Sequence, residues 1–226
     1  MLLILNLIVD KNIRDSFDKS NIARIVSNLK IKYEINYLET SDLDLAGFTH
    51  LLLTGSELSA SKKNNIDEQL YKVIDHFVQK GKSILGICYG HQMLAKALYG
   101  ESACRRTKKP EFGWKNIEIV PNPLFVGIRN PIFMESHYDE VCNLDNDFQI
   151  IAKNDDCEIQ AFQYKNLPIW GIQFHPEFLW EDGEKLMQNH LNDNLDDRVY
   201  YKNEMDSSEI LEQNFKIFEN FIHNDY

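Results

Sequence analysis

The sequence predicts an α/β protein: an open, mostly parallel twisted sheet with helices on both faces and an antiparallel extension. Three observations carry this expectation. Short apolar runs alternate with stretches of helical periodicity through the first hundred residues, the rhythm of right-handed βαβ crossovers. The first run, Leu2-Leu3-Ile4-Leu5-Asn6-Leu7-Ile8-Val9, is apolar almost throughout, as a strand covered on both faces requires. After Gly100 the helical stretches thin out and short strand-like runs succeed one another, which reads as antiparallel or mixed pairing.

Taken in order, Leu2 to Val9 is the first strand, and Ile22, Ile25, Val26 and Leu29 form a helical stripe. Tyr33 to Leu38 alternates as a second strand, and His50 to Thr54 is a third that stops at Gly55-Ser56. Between Asp67 and Lys80, Leu70, Val73, Ile74, Phe77 and Val78 mark a helix closed by Gly81. Ser83 to Ile87 is the fourth strand. Met93, Leu94, Ala97 and Leu98 lie on one face of the helix after it, with Gly100 as its stop. In the second half, Asn116–Val120, Ile132–Glu135, Phe148–Ala152, Ile159–Tyr164 and Ile169–Phe174 read as short strands, the last two joined by a hairpin-sized link. Trp114 and Trp170 read as core residues. No repeat and no Gly/Ser- or Pro-rich linker interrupts residues 1–226, so one domain is expected. It carries an acidic excursion around 181–212, read as a surface loop, and a C-terminal helix over 213–223 with Phe215, Phe218, Phe221 and Ile222 on its apolar side.

Bulk properties exclude several functions. A formal net charge of −11 opposes non-specific nucleic-acid binding, which neutralises phosphates with Lys and Arg. The compact basic run Arg105-Arg106-Thr107-Lys108-Lys109 reads as a solvated loop. No apolar run is long enough to cross a membrane, and the apolar amino terminus lacks a basic leader. Cys88, Cys104, Cys142 and Cys157 form no C-x-x-C pair, and a reactive thiol suits a reducing, cytoplasmic location. Cys142 and Cys157 read as structural, Cys157 being dulled by its carboxylate neighbours. No cofactor is expected, since no Gly-rich P-loop is present. No metal is expected either, because Cys88 and His91 lack two further ligands at zinc-like spacing.

Chemistry points to Cys88. Gly86-Ile87-Cys88-Tyr89-Gly90 places a thiol on a strand-to-helix turn with glycines at both second neighbours, which lets the backbone fold sharply and a substrate approach. The positive end of the following helix favours the reactive thiolate. A buried cysteine ending a core strand is the alternative for a lone thiol; the paired glycines favour a nucleophile. His175-Pro176-Glu177 follows the strand Ile169–Phe174. Pro176 biases His175 toward an extended backbone, so that Glu177, two residues on, projects to the same side and reaches the imidazole.

Gly86-Ile87-Cys88-Tyr89-Gly90-His91-Gln92 together with Gly171-Ile172-Gln173-Phe174-His175-Pro176-Glu177 resembles the class I (triad) glutamine amidotransferases. Leu53-Thr54-Gly55-Ser56, Phe112-Gly113-Trp114 and Glu135-Ser136-His137-Tyr138-Asp139-Glu140-Val141 extend the resemblance over roughly residues 1 to 180. Within the family the chain is similar to the GMP synthetase amidotransferase group, as a stand-alone domain with the flavodoxin-like class I fold. The resemblance implies that Cys88 attacks the side-chain amide of glutamine, His175 shuttles the proton and Glu177 orients His175. It implies an oxyanion hole from the amides of Tyr89 and Gly55, with Gln92 and a Ser136-His137-Tyr138 loop lining the glutamine pocket. Glutamate and ammonia would be the products, the ammonia serving a separate synthetase subunit. Ser56 and Tyr138 stand where glycines are usual, which leaves room for another γ-glutamyl amide and hence for a γ-glutamyl hydrolase or peptidase. A non-catalytic regulatory module on the same fold is the third reading, although no triad member is lost.

Overall fold

All four residues of β1 (Leu2–Leu5) are buried, with Leu2 and Ile4 facing one helical layer and Leu3 and Leu5 the other. The strand is shorter than its apolar run. Asn6 Oδ1 accepts the Ile8 amide at 3.1 Å and Thr54 Oγ1 accepts the Leu7 amide at 2.9 Å, so side chains take backbone groups that a ladder would use. Asp10 then caps α1 (Lys11–Phe17), its Oδ1 accepting the amides of Asn12 and Ile13 at 2.9 and 3.0 Å. The helical path continues through a π-helical turn (Asp18–Ile22) into α2 (Ala23–Asn28), so the stripe from Ile22 to Leu29 is only its second half. Next come β2 (Tyr33–Asn36), β3 (His50–Leu53), α3 (Asp67–Gln79), β4 (Ser83–Ile87) and α4 (Tyr89–Tyr99). Gly81, at φ +61°, closes α3: its amide bonds Val78 O at 3.0 Å and the Lys82 amide bonds Phe77 O at 2.9 Å.

The second half contains β5 (Cys104–Asn116), β6 (Glu118–Ile119), β7 (Ile132–Val141), β8 (Phe148–Lys153), β9 (Ala161–Tyr164), β10 (Ile169–Ile172), α5 (Trp180–Asp193), β11 (Tyr201–Asn203) and α6 (Lys216–His223). The computed structural model describes residues 1–38, 43–205 and 208–223. Lys165 and Asn166, at φ +49° and +54°, make the tight β9–β10 turn.

The larger sheet has the order β2-β1-β3-β4-β10-β9-β8-β6. Its first five strands are mutually parallel, and β9, β8 and β6 extend it antiparallel. The chain moves outward on either side of β1, which places a switch point beside it. Ile25, Phe218 and Phe221 cover one face against Leu2, Ile4 and Trp170; Leu70, Val73, Phe77 and Met93 cover the other against Leu3, Leu5 and Leu51.

Five expectations are corrected. The second-half strands do not form one extension: β11-β5-β7 is a separate three-stranded sheet, built on two strands of 13 and 10 residues. The run Arg105–Lys109 lies within β5 rather than in a loop, where the β5–β7 register shifts between Arg106 and Glu111. Ser136–Tyr138 is likewise mid-strand in β7. The stretch read as an acidic loop holds α5, a 3-10 turn (Leu195–Tyr200) and β11. Among its anchors, Met187 is buried, Trp180 stacks on Trp114 with centroids 5.7 Å apart, and a Cβ on Gly183 would stand 2.5 Å from Trp114 Cζ2. Residues 206 and 207 of that stretch lie outside the described residues. The last helix begins at Lys216, after a 3-10 segment (Ser208–Phe215). Among the described residues no helix is long and apolar enough to cross a membrane.

Candidate active site

Strands β4 and β10 pair in parallel with Ile87 beside Ile172, and the Cys88 amide donates to Ile172 O at 2.8 Å. The segments leaving the two strands therefore emerge side by side, one carrying Cys88 and the other His175. The His175 amide donates to Met134 O of β7 at 2.9 Å, which ties the second segment to the smaller sheet.

Cys88 sits at φ 50°, ψ −106°, a conformation costly for a residue with a side chain. Close packing of α4 holds it there. A Cβ on Gly86 would stand 2.5 Å from Gly90 O, and one on Gly90 would stand 2.6 Å from Leu53 O. Both glycines are thus dictated by contact of α4 with β4 and β3. Gly55 is equally constrained: a Cβ there would lie 3.0 Å from His175 Cε1 and 3.6 Å from Cys88 Cβ. Ser56 carries its side chain without a left-handed backbone. Tyr89 opens α4, so its amide is one that a helix start leaves without an intrahelical acceptor.

His175 Nδ1 lies 2.6 Å from Glu177 Oε1, and the imidazole stands beside Cys88. Burial opposes charge on the ring, but the Glu177 carboxylate and the Cys88 sulfur outweigh it and hold its pKa well above the ordinary histidine value. The Glu177 carbonyl accepts Asn21 Nδ2 at 3.1 Å, and Arg24 approaches the same oxygen at 3.5 Å while bonding Asp182 at 2.7 Å. The π-helical turn that carries Asn21 is thereby docked on the His175–Glu177 turn.

These groups line one cleft of about 860 Å³, within the range of small-molecule sites. All nine residues expected at the site border it: Cys88, His175, Glu177, Gly55, Tyr89, Gln92, Ser136, His137 and Tyr138. Their side chains are not equally available. Ser136 O stands 3.9 Å from Cys88 Sγ, whereas Gln92 Nε2 is engaged by Asp139 O and Gln173 Oε1 at 2.8 and 2.9 Å.

The His137 imidazole is committed to a buried cluster between β5 and β7. Its Nε2 is 3.1 Å from Glu111 and 3.4 Å from Glu135; Lys115 reaches Glu111 at 2.8 Å. Burial disfavours the imidazolium, yet the two carboxylates lift its pKa to about 10. Glu111, raised by burial but lowered further by His137 and Lys115, falls to about 2, while burial pushes Glu135 up. Glu111, Glu135 and His137 also place ligand atoms within 4.8 Å of one another, but Lys115 Nζ and the His137 proton already supply the positive charge there. His91 is fully buried against Phe162, and burial drives its pKa to about 3. Burial also pushes Cys157 up, more strongly than its nearest charged partner Glu111.

Residues 11–194 match the family model of class-I glutamine amidotransferases. The chain belongs to that family. As an amidotransferase of class I it is a glutamine-hydrolysing enzyme, and its relatives agree. It is 39% identical over 170 residues to one subunit of the glutamine-hydrolysing GMP synthase of Pyrococcus furiosus, covering 74% of this chain and 82% of that one. It is 34% identical over 180 residues to the glutamine-hydrolysing GMP synthase of Phocaeicola vulgatus, covering 76% of this chain but 33% of that longer protein. A glutamine amidotransferase from Thermotoga maritima superposes with a TM-score of 0.71 at 20% identity, covering 99% of each chain, which shows the shared fold.

Several residues in or behind this amidotransferase cleft carry no signal that sequence reasoning could use. Asn21 and Arg24 act across more than 150 positions. Arg106 is hidden in a basic run. Asp139 lies inside the Glu135–Val141 motif without an evident role there, yet it accepts Ser59 Oγ at 2.5 Å and so ties the loop after Gly55 to β7.

Proposed function

We propose that Cys88, His175 and Glu177 hydrolyse the side-chain amide of glutamine to glutamate and ammonia, and that the ammonia passes to a separate synthase subunit. The observation that carries this reading is the strained Cys88 elbow set beside an imidazole that Glu177 anchors at 2.6 Å. The sulfur attacks the amide carbon and the carbonyl electrons move onto oxygen, where the amides of Tyr89 and Gly55 receive the charge. When the carbon–nitrogen bond breaks, the His175 imidazolium gives its proton to the leaving nitrogen, and ammonia departs from a γ-glutamyl thioester. Water then attacks the thioester carbon, His175 takes its proton, and glutamate leaves with Cys88 restored. Glu177 holds the ring with Nδ1 toward itself and the other nitrogen free for proton transfer.

The synthase partner is supported by relatives that are themselves named as one subunit of a GMP synthase, and by a longer GMP synthase in which the match covers 33% of the chain. The test is steady-state glutaminase activity of the purified chain beside Cys88→Ala. We expect the variant to lose at least about a thousandfold in kcat. Activity that survives the substitution removes the mechanism.

A further inference from the structure

One contact in the cleft has no part in the chemistry above. Arg106 lays its guanidinium over the Tyr138 ring, Cζ 3.9 Å from the centroid. Behind that ring, the Tyr138 hydroxyl is bonded to the Asp197 carboxylate and faces His190 Nε2 at 3.4 Å. His190 meets Asp197 at 2.9 Å and packs on Phe112 with centroids 4.4 Å apart. Tyr138 is thus fixed by α5 and the segment after it. Arg106 is not: its side chain is 56% exposed and the nearest carboxylate oxygen, on Asp139, is 3.7 Å away. Asp139 is already taken by Ser59 and by Ser61, at 2.5 and 3.1 Å. A guanidinium offers five N–H donors, so a single long contact leaves most of them for a ligand.

The spacing along β7 is close to the length of a glutamine. Ser136, whose carbonyl is 3.9 Å from the sulfur, and Tyr138 are alternate residues of β7. Alternate residues of a strand share a face and stand about 6.6 Å apart. A glutamine whose amide carbon is at the sulfur spans four carbon–carbon bonds, about 5 Å when extended, before its α-carboxylate begins. Resting on the amidotransferase reading, we propose that Arg106, seated on Tyr138, binds the α-carboxylate of glutamine, and that Asp197 holds Tyr138 as its platform. The pair selects substrates with a free α-carboxylate and rejects glutamine that is amidated or peptide-linked there. Arg suits this role because its planar fork meets a carboxylate with two parallel bonds.

The test compares L-glutamine with its α-amide, L-glutaminamide, as substrates of the purified chain. It also measures Cys88 labelling by a diazoketone analogue of glutamine, which needs recognition but no turnover. The wild type should prefer glutamine in kcat/KM by about tenfold to a hundredfold. Arg106→Gln should bring that ratio near one by raising KM for glutamine, with kcat changed by less than about threefold, and should raise the half-saturating concentration of the label equally. Asp197→Asn should produce part of the same loss. Alkylation of Cys88 by the small neutral reagent iodoacetamide at the wild-type rate shows that the variants are folded. The proposal is overturned if Arg106→Gln keeps the preference and the labelling concentration. It is also overturned if Lys185→Ala, which removes a lysine of the cleft wall, abolishes the preference instead. A wild type that neither hydrolyses glutamine nor labels at Cys88 overturns the amidotransferase reading, and this proposal with it.

Discussion

Replacing Glu135 and His137 together by glutamines removes two buried titrating groups from the β5–β7 interface while keeping the shape of both positions. In the native protein His137 is fully buried with its pKa lifted to about 10, against about 6.5 for an unfolded histidine. The folded state therefore holds a proton that the unfolded state releases. Its contribution is complete below pH 6.5 and disappears as pH rises through the folded value. Glu135, pushed up by burial, shifts in the same direction. Urea unfolding midpoints at pH 7, 8 and 9 should show wild-type stability falling faster than that of Glu135→Gln/His137→Gln, by about 1 kcal/mol per pH unit. Parallel curves would refute the charged-imidazole cluster.

Gly55→Ala places a methyl group 3.0 Å from His175 Cε1. The ring must shift away from Cys88, so glutaminase kcat should fall about a hundredfold with the thermal midpoint nearly unchanged. Gly90→Ala drives a Cβ to 2.6 Å from the Leu53 carbonyl, which side-chain rotation cannot relieve, and should cost about 2 to 4 kcal/mol in chemical denaturation.

What the sequence reveals and conceals follows from distance along the chain. The parallel strands are legible because burial on both faces writes itself as a continuous apolar run, as in Leu2–Leu5. Cys88, His175 and Glu177 are legible because each depends on neighbours within two residues: glycines beside the thiol, proline and glutamate beside the imidazole. β5 is illegible because Arg-Arg-Thr-Lys-Lys-Pro has the composition of a loop, and only pairing with β7 makes it a strand. α5 is concealed because its buried contacts rest on Gly183 and Met187 among many acidic and amide residues. The commitment of His137 to Glu111 needs the β5–β7 register, which brings Glu111 opposite His137.

The adjacency of β4 and β10 has a consequence for the order in which the enzyme comes into being. The strand that supplies the thiol is complete early in the chain, but its neighbour in the sheet is made only after β5 to β9, by a long-range pairing that is slow to close. A nascent chain folded as far as β4 carries Cys88 with no imidazole beside it and no Ile172 carbonyl to receive its amide. On the proposed mechanism, reactivity toward glutamine then waits for β10, which serves as the safety catch on the thiol.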